Sequence, residues 1–593
     1  MPAIPNAFLR HLYVKGSLRN TAAGWAFDLR NRVGTGTVTA FERLAVDCGE
    51  VPVARVEIET HGGGRRPVGD THPGAPLSLP AGAAITVHVA GDPLLPGKHR
   101  LEVAFCTEEL GAMAFRIGDQ VREKEEGTDA VREPGETERR RGAVARSQGS
   151  GTRSPVPDTR AIKVAILGAG STVFARQLVT DLLCADGLER GTFALVDIDA
   201  QRLELAHAIA EKLVTKSGRD WEVEATADRG VILPGCDYVL SLIEVAGLRS
   251  VAPDYEIPLR YGVDQCIGDT AGPGGLFKML RTGPVWLDIV RDVERLCPGA
   301  VVMNYSNPMS ALTLLALRAT DLALVGLCHS VQGTSGQLAG YLDVPHEELR
   351  FRCAGINHMA WFVELTHRGE DLYPRLHAAA ADPEIYDCDP VRFEIMRHFG
   401  AFVTESSGHF SEYVPYFRKR PDLRERYTRE GYRGESGFYA HNWPRWRREA
   451  DEMVRAQLAG RSEIVLHRSD EYAATIVEAI ENDWPAVIHG NVANTGLIDN
   501  LPAGGCVEVP VLVDGAGLRP IHFGSLPPQL AALDAAHMYM HELMVEAVLH
   551  RDRRAALHAL MLDPLTAAVL APAEVEAMFE EMWAAEREDL GVW

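Results

Sequence analysis

Two kinds of hydrophobic pattern divide the chain. Up to about residue 122 the apolar residues come in short β-type runs, Gly36 to Phe41, Val53 to Ile58, Ala84 to Val89 and His99 to Phe105, separated by Gly, Pro and Asp turns. Helical periodicity is scarce there, and the pattern predicts a small all-β, sandwich-like domain over 1–122. Residues 123–160 offer hardly any apolar side chain to bury. Glu, Arg, Gly, Ser and Pro predominate, which predicts a flexible linker whose Arg139–Arg141 run is solvated.

From Lys163 the pattern changes. Val164 to Leu167 is an unbroken apolar run, as in a strand buried on both faces, and it leads into Gly168-Ala-Gly170-Ser171. A helical pattern follows, with Val173, Phe174, Leu178 and Leu182 on one face. Similar runs near Phe193–Val196, Tyr238–Ile243, Val301–Asn304 and Leu322–Gly326 alternate with helical stretches. The reading is α/β: a Rossmann-like doubly wound sheet over 161–350. Residues 351–593 mix both patterns and end in long helices near Leu530–His550 and Glu574–Glu586, which predicts an α+β domain for substrate, metal and oligomer contacts.

The first βα turn carries the first chemistry. Gly168 and Gly170 let the backbone approach a pyrophosphate, and Ser171 begins a helix whose free N–H groups favour anions. The strand ending at Val196 is followed by Asp197, placed to hold ribose hydroxyls, and such a carboxylate repels a 2′-phosphate, so NAD is expected over NADP. The third glycine of the pattern is replaced by Val173. Ligands on doubly wound sheets sit beyond the carboxyl ends of the strands, and Asp269, Asn307 and Cys328-His329 fall there. A Cys328 thiolate with the His358 imidazole would make half a site for a divalent transition metal; a buried cysteine and a packed histidine are the plainer alternative. There is no G-x-S-x-G elbow, no H-E-x-x-H and no distinctive carboxylate pair.

Composition narrows the field. A net charge of −22 over 593 residues argues against nucleic acid and anionic membrane surfaces. No apolar stretch reaches the length of a membrane span. Ten cysteines with no C-x-x-C and no framework spacing fit reduced thiols in a cytoplasmic protein. His61, His72 and His88 are too far apart to suggest a metal site.

The stretches KVAILGAGST, LVDIDAQRL, IGDTAGPGG, NYSNPMS, GLCHSVQGT, RCAGINHMAWF, FVTESSGHFSEY and GLIDNLPAGGCVEV make residues 161–593 closely resemble glycoside hydrolase family 4, in its melibiase-like α-galactosidase branch. Through FLRHLYVKGSLRN and GWAFDLRNR the N-terminal region resembles the small β-subunit family of C-glycoside deglycosylating enzymes. The first resemblance implies cleavage through redox chemistry. NAD+ takes hydride from C3 of the sugar, a base removes the acidified C2 proton beside a divalent metal, usually Mn2+, the aglycone leaves, water adds, and NADH returns the hydride.

Residue by residue it implies Cys328 and His358 as metal ligands and Asn307 as a substrate-binding residue. Asp269 would raise the basicity of the catalytic base. His329 stands where other members carry an acidic proton donor, and His409 or Tyr413 stands where a tyrosine base serves. The phosphate-gripping arginine of the phosphoglycosidase branch is Val251 here, which favours an unphosphorylated sugar. Members are commonly dimeric or tetrameric, so a homo-oligomer is expected. The alternatives are a net NAD-dependent oxidoreductase acting on a sugar or hydroxy acid, which would accumulate NADH, a lyase acting on C-glycosides or 3-keto-glycosides, and a non-catalytic sugar sensor.

Overall fold

A computed structural model describes residues 13–14, 17–21, 23–30, 36–47, 49–60, 65–72, 75–79, 84–95, 97–107, 111–121, 160–591 and 593. The expected linker, apart from Arg160, and His61 lie outside them. The chain forms two compact units, the second holding every element from Ile162 onward except the short helix Pro383–Tyr386.

The N-terminal unit is all β. One antiparallel sheet runs in the order Arg19–Thr21, Gly24–Arg30, Ala84–Ala90, Val56–Thr60, Arg65–Pro67. The other runs Gly111–Val121, Gly97–Thr107, Gly36–Val46, Gly49–Val51, with Leu77–Leu79 also paired to Gly36–Val46. Phe27, Ile58 and Val87 of the first sheet and Leu44, Leu101 and Val103 of the second share one core, so the two pack face to face. Val53–Arg55, expected as strand, is a 3-10 turn after Pro52. His88 pairs with Glu59 at 2.8 Å, an ordinary packed histidine.

In the second unit six parallel strands come first: Ile162–Leu167, Arg190–Val196, Asp220–Thr226, Tyr238–Ser241, Val301–Asn304 and Ala323–Gly326. Numbered as they occur, they lie in the order 3-2-1-4-5-6, the dinucleotide-binding order, with its reversal beside Ile162–Leu167. Strand alternation explains the unbroken apolar run. Val164 and Ile166 enter the core on one face, while Ala165 and Leu167 enter the core on the other. Helices Phe174–Cys184 and Ala200–Ser217 cover the first face, and Gly272–Leu296 and Met309–Ala319 cover the second.

Beyond Ala323–Gly326 the same sheet continues with antiparallel strands, in the order Ala486–Ala493, Cys506–Asp514, Leu349–Ile356, Met359–His367. Two expectations are corrected. Asp220–Thr226 (DWEVEAT) is a sixth parallel strand, hidden in the sequence because an edge strand alternates polar and apolar residues. Val173 caps its helix at 55 % exposure and takes no part in the buried face, which rests on Leu178 and Leu182. Among the described residues no helix is long and apolar enough to cross a membrane, and the cysteines are free.

One buried ion pair fixes the loop ahead of Gly272–Leu296. Arg418 and Asp264 are sealed from solvent and meet at 2.6 Å, and Arg418 also donates to the carbonyls of Asp264 and Gly434. Asp264 also meets the partly exposed Arg424 at 3.0 Å, so it is loss of the carboxylate that leaves a sealed charge, that of Arg418, uncompensated. Asp264→Asn is therefore expected to destabilise the second unit by about 3–5 kcal/mol, measured by denaturant unfolding. A loss below about 1 kcal/mol, as for an exposed pair, would contradict this account.

Candidate active site

The parallel strands all end at one edge of the sheet, so the segments that follow them are neighbours however far apart they lie in the chain. After Ile162–Leu167 comes the glycine turn, after Tyr238–Ser241 comes Glu244, after Val301–Asn304 comes Asn307, and after Ala323–Gly326 come Cys328 and His329.

The glycine turn needs its glycines. Gly168 has φ +80°, and a Cβ there would lie 2.6 Å from the Leu242 carbonyl oxygen. A Cβ on Gly170 would lie 2.5 Å from Asp197 Oδ2, which accepts the Gly170 N–H at 2.7 Å. Asp197 Oδ1 accepts the Asp199 N–H at 2.9 Å, and Arg202 Nε donates to the Gly170 carbonyl at 2.7 Å. Asp197 thus braces the turn, and each oxygen keeps a lone pair for a further donor. Ser171 is exposed, and Ile198 (93 % exposed) and Val173 offer bare apolar surface beside it. Thr172 and Arg202 both bond Asp451 of helix Phe438–Leu458, which closes one side of the turn.

Asp269 and Asn307 are brought together. Asn307 Nδ2 donates to Asp269 Oδ2 at 3.1 Å, Thr270 Oγ1 donates to Oδ1 at 2.7 Å, and Lys278 Nζ lies 3.5 Å from Oδ2. Burial opposes ionisation of Asp269, but Lys278, His409 and these hydrogen bonds outweigh it and hold the pKa well below the usual range. The loop bearing Asp269 is held from beneath. Glu412 Oε1 accepts the N–H groups of Cys266 and Ile267 at 2.5 Å each, and Oε2 accepts that of Gly268 at 3.0 Å. Burial pushes Glu412 up to about 7 against the pull of Arg418 and those donors. Lys278 also pairs with Glu244 at 2.8 Å. A recess beside Asp269 is lined by Glu244, Val251, Asp254, Lys278, Arg281 and Tyr439.

His358 sits in a two-residue turn between Leu349–Ile356 and Met359–His367 with φ +63°, a left-handed conformation that a non-glycine residue holds only when its surroundings impose it. Its Nδ1 lies 3.1 Å from Tyr413 Oη, and its Nε2 lies 3.6 Å from Glu405 Oε2. The His409 ring is 4.7 Å from that of His358, with Nε2 3.9 Å from Asp269 Oδ1. Burial, then the neighbouring His358, lowers His409 to about 4 and leaves it neutral. Burial also holds the Tyr413 phenol far above its ordinary value. His358, Glu405 and His409 offer ligand atoms within 4.8 Å of one another, an arrangement that could hold a metal ion.

Cys328 is not one of that trio. Burial raises its thiol to about 11, opposed by His329, and the charges of Glu508 and Glu405 bear on it. His329 projects 73 % exposed, its Nδ1 3.4 Å from Glu471 Oε1. The Glu471 hydrogen bond and then the neighbouring Cys328 raise it to about 9.

The sequence reading missed Glu405, Glu412, Glu244 and Lys278. Glu405 and Glu412 stand inside FVTESSGHFSEY beside residues that were singled out, and the signal was their spacing from His409, four before and three after. Nothing in the sequence pointed to Lys278, which lies within an apolar helix.

Comparison with known proteins agrees with this architecture. A family model described as "Family 4 glycosyl hydrolase" matches residues 163–344, and "Family 4 glycosyl hydrolase C-terminal domain" matches 353–566. A model for the N-terminal domain of hydroxymethylglutaryl-CoA reductase matches 8–122 and does not place the chain in that family. The α-galactosidase of Bacillus subtilis is 39 % identical over 429 residues, which are 71 % of this chain and 98 % of that protein. The α-galactosidase of Rhizobium meliloti is 37 % identical, over 71 % of this chain and 87 % of that protein. A 6-phospho-α-glucosidase from gut microorganisms, solved in complex with NAD and Mn2+, shares the fold with a TM-score of 0.62 at 20 % identity, over 72 % of this chain and 99 % of that one. The second unit, with its nucleotide-type turn and its polar cluster around Asp269, Asn307 and His358, belongs to a glycoside hydrolase, and the chain is a member of family 4 of the glycosyl hydrolases.

Proposed function

We propose that the chain is an α-galactosidase that uses NAD and a divalent metal, Mn2+ by preference, and cleaves its substrate by oxidation at C3, loss of the C2 proton, elimination, water addition and re-reduction. The observation that carries this reading is the contact at the sheet edge, where the braced glycine turn lies along the same edge as Asn307, itself bonded to Asp269. A nicotinamide and a sugar ring held there would lie side by side. The residues fit both groups. Gly168 and Gly170 hold a tight turn that no side chain could replace, Asp197 beside it has lone pairs for ribose hydroxyls, and His358 turns a nitrogen into a buried polar cluster.

The two α-galactosidase relatives support the choice of sugar. So does the charge balance of the recess. Lys278 is shared by Glu244 and Asp269, and Arg281 by Asp254 and Glu586. No positive charge of that recess is left over for a phosphate, and Val251 stands where the resemblance places the phosphate-gripping arginine.

When bound, NAD+ supplies a hydride acceptor and the divalent cation a positive charge that acidifies the C2 proton. The chain does the rest. Asn307 and Asp269 bind sugar hydroxyls as a joined amide–carboxylate pair. Tyr413 Oη, passing its own proton to His358 Nδ1, or else the neutral His409, takes the C2 proton. His329, charged at neutral pH beside Glu471, protonates the departing oxygen. Cys328 and His358 are the metal ligands the resemblance assigns.

Two outcomes follow. Asp197→Ala is expected to weaken NAD+ binding by about 1–3 kcal/mol, the cost of losing an acceptor for buried donors; calorimetry giving an unchanged affinity would remove Asp197 from the ribose site. The second concerns the chemistry. Turnover of a nitrophenyl α-galactoside should stop without NAD+ although no NADH accumulates, and reaction in D2O should place deuterium at C2 of the released galactose. Activity of cofactor-free enzyme, with every C2 and C3 hydrogen retained, would refute the elimination.

A further inference from the structure

The recess beside Asp269 contains one carboxylate that is only half engaged. Glu244 meets Lys278 Nζ through Oε2 at 2.8 Å, its side chain is 28 % exposed, and Oε1 has no donor among the described residues. We propose that Glu244 restricts the enzyme to neutral sugars, cancelling the charge of Lys278 with one oxygen and accepting a sugar hydroxyl with the other; this rests on the reading that the recess holds the sugar.

The charges of the recess carry the inference. Three carboxylates line it, those of Glu244, Asp254 and Asp269, against the two cations Lys278 and Arg281. Arg281 is committed. Its side chain is 1 % exposed, and Asp254 holds it through both oxygens, at 3.1 and 2.7 Å, with Glu586 on the same guanidinium. Lys278 is held less completely. Its nearest partner is Glu244, while Asp269 Oδ2 lies 3.5 Å away and already accepts from Asn307. Burial works against the charge on Lys278, and Glu244 ahead of Asp269 restores it and keeps its pKa above the ordinary lysine value. Among the described residues, Glu244 is thus the side chain whose loss would release a cation into the recess.

This arrangement separates two sugars that shape does not. A uronic acid keeps the ring and hydroxyls of its parent sugar and carries a carboxylate in place of the C6 hydroxymethyl group. A recess that admits one by fit admits the other, so an unfavourable charge has to tell them apart. A sugar carboxylate here meets an excess of negative charge, and like charges brought together in a poorly solvated site repel strongly. A hydroxyl meets no such repulsion and can donate to Glu244 Oε1 in a charge-assisted hydrogen bond.

The test uses the full chain loaded with NAD+ and Mn2+. It compares kcat/KM for nitrophenyl α-galactoside and nitrophenyl α-galacturonide in one preparation, so that losses common to both cancel. The unaltered enzyme should favour the galactoside by about a hundredfold or more, the scale of a like-charge contact. Glu244→Gln, which keeps the shape and removes the charge, should narrow that preference at least about tenfold. Calorimetry, which needs no turnover, should show this variant binding free galacturonate more tightly than the unaltered enzyme does. Glu244→Asp, which keeps the charge, should keep the preference whatever its rate, and NAD+ affinity should be unchanged in both variants, which certifies their fold. A preference unaltered in Glu244→Gln, with both rates falling together, makes Glu244 a merely structural residue and overturns the proposal; so does a preference lost in Glu244→Asp. An unaltered enzyme that favours the galacturonide also overturns it and leaves the glycosidase reading standing. If neither glycoside is cleaved and neither galactose nor galacturonate binds, the reading of the recess as the sugar site fails and takes this one with it.

Discussion

The sheet is one sheet because of a narrow seam. Parallel strands end at Ala323–Gly326, and the antiparallel half begins with Ala486–Ala493, joined to it through the pair Gly326–Asn491. From there the register continues to Glu508 and on to Gly355, so four residues from four strands form one row. Gly326 has no room for a side chain, since a Cβ would lie 2.5 Å from Thr313 Oγ1 and 3.0 Å from Asn491 Cβ. Cys328 follows this row by two residues on one side, and His358 follows it by three on the other. The groups expected to serve the metal thus come from two halves of different strand direction. Only a continuous backbone ladder gives them a fixed relation, and Glu508, buried in the row between them, acts electrostatically on both.

A second tie is made by adjacent residues. Glu412 collects three backbone N–H groups of the loop that presents Asp269, and Tyr413 reaches the His358 ring. Cooperation between the loop and the turn therefore passes through one rigid dipeptide. Such bracing keeps a catalytic constellation in place without substrate, and it explains why the segment around His409 is almost wholly buried, polar side chains included.

Much of the fold was legible because burial on both faces leaves a strong mark. The apolar runs at Val164–Leu167 and Val301–Asn304 could not have been surface segments, and the glycine turn followed directly from the first. Asp220–Thr226 was not legible because a half-exposed edge strand resembles a loop. Asn307 and Asp269 were singled out from their places beyond strand ends, and the structure joins them. Glu405 and Glu412 were marked only by their spacing from His409, and Lys278 not at all. Buried charge is invisible in a sequence until its partners are known, and here the partners lie elsewhere in the chain: Lys278 with Glu244, and Glu412 with the amides of Cys266 to Gly268.

The same commitments bear on how the bond is broken. A two-carboxylate glycosidase needs one carboxylate free to act as nucleophile or base and a second, protonated, as the acid. Here Asp269 is held by Lys278, Thr270 and Asn307, Glu405 lies between His358 and His409, and Glu412 is filled by backbone amides. Asp254 is bound to Arg281 on both oxygens. Asp269, Glu412 and Asp254 are thus each engaged, while Glu405 lies beyond hydrogen-bond range of both histidines and Glu508 is buried with both oxygens unpartnered. The same edge of the sheet also presents a phenol against an imidazole at Tyr413 and His358, an exposed histidine paired with Glu471, and the braced glycine turn. That inventory suits proton transfer beside a nucleotide-type turn.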